Sequence, residues 1–326
     1  MPTRPVVAVL HDGDPPSQDA LAPVLERAEV RMADEAGLAA ALDGAEVMYA
    51  YHFLSRVMPE VWHAAGSLRW LHVAAAGVDA LLTPEVAASD VVVTNSRGIF
   101  DASIAEYVLG QVLAFAKDLP GSVRRQDAHT WEHRESDMVA GSRALVIGTG
   151  PIGRSIARLL RAAGVEVSGS GRRARTGDPD LGDVTDADGL PAALAAADWV
   201  VLAAPLTPAT RGMIDAAALS SMKPTARLVN VGRGELVRTD DLVTALREGT
   251  IAGAALDVVD PEPLPAGHPL WDLPGAIITP HNSGDFRGWR DALTHLFADN
   301  FLRWTAGEPL PGVVDKSRGY VPGEGS

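Results

Sequence analysis

The sequence predicts an α/β protein built from two doubly wound parallel-sheet domains, and three observations support this fold class. Short apolar runs alternate with helical stretches along most of the chain, which is the pattern of parallel strands joined by helical crossovers. The chain has 326 residues, which is long for one hydrophobic core and comfortable for two. A glycine-rich turn, Gly148–Gly153, joins an apolar run to an amphipathic helix. Together these features predict two units, each with its own sheet.

The first unit is predicted from the alternation of apolar and helical segments over the first hundred residues. Helical stretches lie near Asp19–Arg27, Leu38–Leu42 and Pro59–Ala65. Because parallel strands need long crossover connections, helices between apolar runs favour a parallel sheet. The predicted strands are Val6–Leu10, Val47–Tyr51, Leu68–Ala74 and Val91–Thr94.

The second unit is predicted to begin with a long helix. Ser103-Ile-Ala-Glu106 matches a capping box and predicts a helix that starts there and runs to about Lys117. A helix over Trp289–Thr305 is expected to return to the first unit. We therefore predict a discontinuous first domain, 1–98 plus 285–326, a second domain, 99–284, and a ligand cleft between them. The predicted strands of the second domain are Ala144–Ile147, Val165–Ser170, Trp199–Ala203, Arg227–Val231, Ala254–Val258 and Ala276–Thr279.

The glycine-rich turn reads Gly148-Thr-Gly-Pro-Ile-Gly153, between a strand and a helix that runs to about Ala163. The first Gly permits the turn, the second lets a pyrophosphate approach the backbone, and the third lets the helix pack on the strand. The helix N-terminus offers N–H groups and a positive dipole end to phosphates. Glycine turns of this kind also occur for packing reasons, but the strand–turn–helix setting favours a Rossmann dinucleotide-binding domain. The expected cofactor contacts are Gly148, Gly150, Pro151, Ile152 and Gly153.

The end of the next strand indicates which dinucleotide is bound. An NAD site usually places Asp or Glu there, about 20 residues after the first Gly, to bind the ribose hydroxyls. Here the tip reads Gly171-Arg-Arg-Ala-Arg175, while Glu166 lies too early and Asp178 too far along. Guanidinium groups bind a 2′-phosphate through charge-assisted bonds, although a basic turn is also common on any surface. The sequence favours NADP(H) over NAD(H), bound by Arg172, Arg173 and Arg175.

Composition excludes several classes of function. A formal net charge of −14 argues against nucleic acid or an anionic membrane as a partner. The chain has no cysteine, which removes disulfides, thiolate nucleophiles and cysteine metal sites. His129, Glu132 and His133 lack the spacing of a zinc protease motif, so we predict no metal. No run is long enough for a membrane span and no signal-peptide core is evident, so we expect a cytoplasmic protein.

Three charged residues follow predicted strands of the second domain. Arg233 follows Arg227–Val231, Glu262 lies just beyond Ala254–Val258, and His281 follows Ala276–Thr279. Each has an ordinary explanation alone: a solvated arginine, a loop carboxylate, a structural histidine. Ligands of open α/β sheets, however, bind beyond the carboxyl ends of the strands. Three such groups at one edge of a cofactor-binding sheet indicate a catalytic site.

Several specific motifs follow one another in order along the chain: Ala75-Ala-Gly-Val-Asp79, the glycine turn, Ala204-Pro-Leu-Thr-Pro208, Asn230-Val-Gly-Arg-Gly-Glu-Leu-Val237, Ala255-Leu-Asp-Val258, Pro261-Glu-Pro-Leu-Pro265 and Pro280-His281. In their order and spacing, the chain resembles the D-isomer-specific 2-hydroxyacid dehydrogenase family over nearly its whole length. The segment after His281, Asn282–Trp289, departs from the small-residue segment of many members, which leaves the substrate side chain open. Tyr51–Leu54 and Trp289 are candidate walls for that side chain, with a lean toward apolar 2-keto acids, although core packing explains them equally well.

The resemblance implies a flavodoxin-like substrate domain, a homodimer whose domains close over a small 2-keto or 2-hydroxy acid, and roles for individual residues. Arg233, Glu262 and His281 would form the catalytic trio. The N–H groups of Ala76 and Gly77 would bind the substrate carboxylate, and Arg233 and His281 would also contact the substrate. Asp257 would hold the nicotinamide carboxamide. The remaining cofactor contacts implied are Pro205 and Val231.

Elementary chemistry supports the same roles. Reduction of a 2-keto acid needs a proton at the carbonyl oxygen, and an imidazole exchanges protons close to neutral pH. A carboxylate bonded to His281 stabilises its charged form and fixes the ring. Arg233 has a planar, permanently charged fork that can bind the carboxylate and polarise the carbonyl. Two alternatives remain open: a formate or phosphite dehydrogenase of the same fold, and a corepressor-like protein that binds NAD(P) without turnover.

Overall fold

The structure is a computed structural model that describes residues 4–322. The chain divides into two compact units, Met1–Ile99 with Arg287–Ser326, and Phe100–Phe286. Each unit has a sheet of parallel strands with helical connections, which confirms the predicted fold class. The predicted domain boundaries, at 98/99 and 284/285, remain predictions. The predicted ligand cleft between the domains also remains a prediction.

The first unit is a five-stranded parallel sheet in the order β2-β1-β3-β4-β5. This order is the flavodoxin-like one, in which the first and third strands mark the point where the connections change direction. The strand β2 was not predicted, because it lies at the edge and only one of its residues is buried. The elements are β1 (Val6–Leu10), α1 (Gln18–Leu25), β2 (Glu29–Ala33), α2 (Leu38–Leu42), β3 (Val47–Ala50), α3 (Met58–Val61), a 3₁₀ turn (Trp62–Ala64), β4 (Trp70–Val73), α4 (Pro84–Ala88) and β5 (Val92–Asn95).

The core of the first unit lies on both faces of its sheet. Every residue of β3 and β4 is buried, as expected for central strands of a parallel sheet. One face is covered by a late helix, Trp289–Ala306, whose Phe297 stacks on Tyr49 with ring centroids 4.1 Å apart. Burial of two aromatic rings in this way stabilises the unit by several kcal/mol, on the order of 2 to 3 per ring.

The second unit is an eight-stranded sheet in the order β13-β12-β11-β10-β6-β7-β9-β8, parallel except for the β8–β9 pair. Six of its strands match the predicted ones within one or two residues. Its elements are α5 (Asp101–Ala116), α6 (Leu119–Asp127), β6 (Arg143–Ile147), α7 (Pro151–Ala162), β7 (Glu166–Ser170), β8 (Arg175–Asp178), β9 (Gly182–Thr185), α8 (Leu190–Ala196), β10 (Trp199–Leu202), α9 (Ala216–Ser221), β11 (Arg227–Asn230), a 3₁₀ turn (Gly234–Leu236), α10 (Thr239–Glu248), β12 (Gly253–Leu256), a 3₁₀ turn (Pro269–Asp272) and β13 (Ala276–Ile278); the helix Trp289–Ala306 of the first unit is α11.

The predicted helix start at Ser103 was wrong. The helix α5 begins two residues earlier, at Asp101, and its N-cap residue Phe100 makes no side-chain capping bond. Because Ser103 already lies inside the first turn, its hydroxyl does not cap the helix and instead donates to the Ser283 carbonyl at 3.0 Å. The serine therefore contacts the loop after β13 rather than its own helix.

The sheet order of the second unit determines where functional groups lie. Neighbouring strands β13, β12, β11, β10, β6 and β7 run parallel, so the loops after them leave from one edge of the sheet. Every candidate residue that the sequence places in this unit follows one of these six strands. In the described part of the chain, residues 4–322, no helix has the length and apolar character needed to cross a bilayer.

Candidate active site

The glycine turn lies after β6, and two of its three glycines, Gly148 and Gly153, meet close backbone neighbours. Gly148 has a φ of +117°, which other residues rarely adopt, and a Cβ there would lie 2.5 Å from the Ala203 carbonyl. A Cβ on Gly153 would lie 1.9 Å from the Gly148 oxygen. Gly150 is the N-cap of α7, and Pro151 occupies the first helical position, where no N–H is needed. The turn therefore presents backbone N–H groups of the first helical turn, including those of Ile152 and Gly153, to an anion.

The tip of β7 carries no carboxylate. The strand ends at Ser170 and is followed by Gly171, where a Cβ would lie 2.9 Å from the Thr149 side chain of the glycine turn. The next two residues, Arg172 and Arg173, are exposed. A dinucleotide ribose at this position would meet guanidinium groups instead of an acid, so the residues fit a nucleotide with a 2′-phosphate.

Arg175 is held by an acid. Its Nε and one terminal nitrogen donate to Asp178 at 3.0 and 2.8 Å. Arg154 of α7 binds the same carboxylate in a two-pronged pair, at 2.9 Å for each bond. Burial by itself raises the pKa of Asp178, but the bonds from the two arginines outweigh it and hold that pKa well below its ordinary value. Asp178 is thus a structural acid that fixes β8 against α7.

Arg233 lies on a short turn after β11, and the side chain of Asn230 holds this turn in place. The Asn230 amide donates to the Arg233 carbonyl at 2.9 Å and accepts from the Gly232 N–H at 3.1 Å. Gly234 packs against the next loop so closely that a Cβ would lie 1.9 Å from the Val259 oxygen. The absence of a side chain at position 234 thus brings the Arg233 turn against the loop that leads to Glu262.

Glu262 and His281 form a hydrogen-bonded pair. The distance from His281 Nδ1 to Glu262 Oε2 is 3.0 Å, and the other carboxylate oxygen accepts from the Val259 N–H at 2.9 Å. Burial alone would raise the pKa of the Glu262 carboxyl. The bonds from His281 and Val259 outweigh burial, so this pKa lies below its ordinary value, and the charge of Arg233 adds to the lowering. Because a carboxylate only accepts, Nδ1 of His281 carries a hydrogen, and Nε2 is the atom able to exchange a proton with a substrate.

Asp257, expected to hold a carboxamide, binds the loop that carries His281. The residue is buried, with 2% of its surface exposed. Its Oδ1 accepts from the Thr279 hydroxyl at 2.6 Å and the Asn282 N–H at 3.0 Å, and its Oδ2 accepts from the Ser283 N–H at 3.0 Å. A carboxylate has about four lone-pair positions. These three hydrogen bonds use three of them, and one position on Oδ2 remains for a carboxamide N–H. Sequence reasoning missed the role of Thr279, although the residue stands in the Thr279-Pro-His281 motif.

The other two cofactor candidates also follow strands of this edge. Pro205 comes after β10, and its carbonyl accepts from the Thr210 hydroxyl at 2.7 Å. Val231 comes after β11, is buried, and donates through its N–H to the Leu202 carbonyl at 3.1 Å. Both residues therefore lie between the glycine turn and the Glu262–His281 pair in the order of the strands.

Ala76 and Gly77 belong to the first unit, in the loop after β4. Both are half-buried, and the Ala76 carbonyl accepts from the Asn95 amide at 2.5 Å. Within residues 4–322, neither N–H donates a hydrogen bond. Both N–H groups are therefore available to an anion such as a carboxylate.

Three further features bear on ligand binding. In the described part of the chain, no group of three or more His, Cys, Asp or Glu side chains has an arrangement that could hold a metal ion. His129 and His133 are exposed. In the first unit, Phe53 meets Trp289 edge to face with centroids 6.2 Å apart, so these aromatic residues pack on each other.

The chain is similar to known proteins in sequence and in fold. The family model described as D-isomer specific 2-hydroxyacid dehydrogenase, NAD binding domain, matches residues 109–283. A glyoxylate reductase/hydroxypyruvate reductase of Homo sapiens is 32% identical over 259 residues, which covers 77% of this chain and 78% of that protein.

Two solved structures extend the likeness to the whole fold. A probable 2-hydroxyacid dehydrogenase from Rhizobium etli CFN 42, in complex with NADP, HEPES and L(+)-tartaric acid, has a TM-score of 0.83 and 27% identity, with 98% of this chain and 100% of that chain covered. An NADPH-dependent glyoxylate/hydroxypyruvate reductase from Sinorhizobium meliloti, in complex with NADP and sulfate, also has a TM-score of 0.83, with 28% identity and the same coverage. The resemblance inferred from the motifs is confirmed, and the chain belongs to the D-isomer-specific 2-hydroxyacid dehydrogenase family.

Proposed function

We propose that this protein is an NADP(H)-dependent reductase of small 2-keto acids, which yields the corresponding (D)-2-hydroxy acids. The observation that carries the proposal is the Glu262–His281 pair, 3.0 Å apart at the edge of a sheet that also bears the glycine turn. A hydrogen-bonded carboxylate and imidazole beside a permanent positive charge form the constellation that protonates or deprotonates a carbinol oxygen.

Three side chains divide the work. His281 gives a proton from Nε2 to the carbonyl oxygen in reduction and takes it back in oxidation. Glu262 accepts from Nδ1, which fixes the ring and stabilises the imidazolium form. Arg233 binds the substrate carboxylate and polarises the carbonyl, with the N–H groups of Ala76 and Gly77 as further carboxylate donors. When bound, the nicotinamide coenzyme supplies the hydride for the carbonyl carbon.

The preference for NADP(H) rests on the tip of β7. Arg172 and Arg173 are exposed where an NAD site would carry an acid, and two relatives with similar folds were solved with NADP. Because two nitrogens of Arg175 bind Asp178, we assign the 2′-phosphate first to Arg172 and Arg173 and give Arg175 a supporting role. Gly148, Gly150 and Gly153 are the residues that would admit the pyrophosphate.

The substrate class follows from the carboxylate donors and from the relatives. Glyoxylate and hydroxypyruvate are the substrates named for the human and Sinorhizobium meliloti proteins. A positive charge at Arg233 and two backbone donors suit any short 2-keto acid, and the Phe53–Trp289 contact supplies an apolar surface in the first unit.

We also propose a homodimer, because the second unit exposes several large apolar side chains between residues 119 and 138. Leu119, Val123, Trp131 and Met138 are all more than half exposed, and Trp131 is completely so. Large exposed apolar side chains within one stretch of the chain favour a contact surface, here for a second copy of the chain. Light scattering after size exclusion should give twice the chain mass, and Trp131→Glu should shift the protein toward the monomer. A monomeric wild-type protein at micromolar concentration would refute the dimer.

The decisive experiment measures NADPH oxidation by its absorbance at 340 nm. The protein is tested with one 2-keto acid at a time: glyoxylate, hydroxypyruvate, pyruvate and phenylpyruvate. We expect turnover with at least one acid and a kcat/KM at least tenfold higher with NADPH than with NADH. Cofactor binding without turnover of any acid would favour a non-enzymatic NAD(P)-binding protein instead. Reduction of NADP⁺ by formate or phosphite would favour a dehydrogenase of those anions.

A further inference from the structure

The turn that carries His281 has an unfavourable backbone conformation. His281 has a φ of +55°, in the left-handed region that residues with a Cβ rarely adopt. Such a conformation costs on the order of 1 kcal/mol or more and persists only where neighbouring bonds enforce it. The ring position of His281 therefore depends on the contacts that hold positions 279–283.

The central contact of this turn is Asp257. Its backbone carbonyl accepts from the His281 N–H at 2.8 Å, and its carboxylate binds Asn282 and Ser283 through their N–H groups. The Thr279 hydroxyl donates to the same carboxylate at 2.6 Å. The buried Asp257 thus binds residues on both sides of His281. Any contact that fixes the position of Asp257 therefore also fixes the conformation of the turn.

Thr279 connects this acid to the helix α5. The distance from the Tyr107 hydroxyl to Thr279 Oγ1 is 2.7 Å. Since the Thr279 proton goes to the carboxylate of Asp257, which only accepts, Thr279 must accept from the Tyr107 hydroxyl. The direction of the chain of bonds is fixed: Tyr107 donates to Thr279, and Thr279 donates to Asp257.

The phenol of Tyr107 is suited to a permanent donor role. Burial raises the pKa of Tyr107 to about 12, with the negative charge of Asp257 adding to the increase. The hydroxyl therefore keeps its proton throughout the pH range in which an enzyme works. Ser103, one turn earlier on α5, donates to the Ser283 carbonyl at 3.0 Å, so the same helix binds the turn at a second point.

We propose that Tyr107 and Thr279 are positioning residues for His281, which hold its imidazole in place through Asp257. The inference rests on the proposed reductase function for its kinetic consequence only. Neither side chain needs to touch substrate or cofactor, and both act by limiting the conformations of the turn. A misplacement of about 1 Å at a reacting group can cost on the order of a hundredfold in rate, so loss of one link should be visible in kcat.

The test uses four variants of the full chain with NADPH and the best keto acid of the panel. Tyr107→Phe and Thr279→Val each delete one hydroxyl with almost no change of shape. Thr279→Ser restores the hydroxyl, and the double variant Tyr107→Phe/Thr279→Val tests whether the two act in series. We expect kcat to fall roughly fivefold for Tyr107→Phe and tenfold or more for Thr279→Val, with the NADPH Kd changed less than threefold. Thr279→Ser should stay near wild type, and the double variant should be no slower than Thr279→Val alone.

Tyr49→Phe is the matched control, because it deletes another buried tyrosine hydroxyl, bonded to Thr294 in the first unit. We expect it to leave kcat unchanged. An unchanged kcat in Tyr107→Phe, a Thr279→Ser variant as slow as Thr279→Val, or multiplied losses in the double variant would each overturn the proposal.

A second measurement separates this proposal from the proposed function. Hydrogen exchange of the peptide that spans 279–286, in the protein without cofactor, should be faster in Tyr107→Phe and Thr279→Val than in wild type and Tyr49→Phe. Exchange that stays at the wild-type rate in both variants would overturn the positioning role. A wild-type protein without turnover would refute the reductase proposal instead, while this measurement would still decide the role of Tyr107.

Discussion

His72 should make the stability of the protein depend on pH, because it is a fully buried histidine that has no acidic partner among residues 4–322. It lies on β4 with 0% of its surface exposed. Its Nδ1 lies 2.8 Å from Thr94 Oγ1 and its Nε2 lies 3.3 Å from Ser96 Oγ. Since Ser96 donates its proton to the Val73 carbonyl, it accepts from Nε2–H of His72, and Thr94 donates to Nδ1. Two hydroxyl groups therefore satisfy both nitrogens of the neutral ring.

Burial lowers the pKa of His72 to about 3, from an ordinary value near 6.5. The titratable side chain in ring contact is Tyr49, which bears no charge in the acid range. Because the unfolded chain binds the proton more tightly than the folded one, the free energy of unfolding is highest above pH 6.5 and falls as the pH drops toward 3. This one group should lower stability by about 1 kcal/mol between pH 7.5 and 5.5, and by about 3 kcal/mol at pH 4.

The assay is urea unfolding at pH 7.5, 5.5 and 4, followed by circular dichroism. The variant His72→Gln keeps an acceptor for Thr94 and a donor for Ser96 but does not titrate. The wild type should lose about 3 kcal/mol more than this variant between pH 7.5 and 4. His133→Gln, at an exposed position, is the control and should follow the wild type. If the stabilities of the wild type and His72→Gln fall in parallel with pH, burial of His72 is not the cause of the acid sensitivity.

Four further predictions concern the proposed reductase. His281→Asn should lower kcat by at least a hundredfold while the NADPH Kd stays within threefold, and near-normal turnover would exclude it as the acid. Glu262→Gln keeps the shape but loses the charge, so kcat should fall about tenfold or more; a variant as fast as wild type would remove Glu262 from the mechanism. The double variant Arg172→Ala/Arg173→Ala should have a KM for NADPH that is roughly ten- to a hundredfold higher, with little change in the KM for NADH. An equal change of both KM values would count against recognition of the 2′-phosphate by these arginines. Gly153→Ala should abolish detectable coenzyme binding in calorimetry, because its Cβ would lie 1.9 Å from a backbone oxygen; a Kd within threefold of wild type would contradict this.

The sequence predicted the central strands of both sheets and missed the strands at one end of each sheet, β2 in the first and β9 and β8 in the second. Central strands such as Val47–Ala50 are buried on both faces, so they are continuous apolar runs that are easy to identify. The edge strands Glu29–Ala33 and Arg175–Asp178, and Gly182–Thr185 next to the latter, bury only one residue each. Their sequences look like loops because pairing with a neighbour, rather than burial, makes them strands.

The sequence predicted those candidate site residues that carry a reactive or charged group and directly follow a strand. Arg233, Glu262 and His281 follow three strands that are adjacent in the sheet, so parallel topology alone places their loops on one edge. Tyr107 lies 172 residues from Thr279, on a helix whose sequence gives no sign of a hydroxyl contact. Ser103 was assigned to a helix cap by its spacing, and only the three-dimensional structure gives it the Ser283 carbonyl as a partner.

The contact between Gly234 and Val259 limits how this enzyme can be altered. Since the atoms that a methyl group would strike belong to the main chain of Val259, trimming a neighbouring side chain cannot make room for it. Libraries built to change substrate choice can vary many positions of the first unit, but they should leave residue 234 untouched. A side chain at position 234 would require the backbones of both loops to move together, which a single further substitution is not expected to achieve.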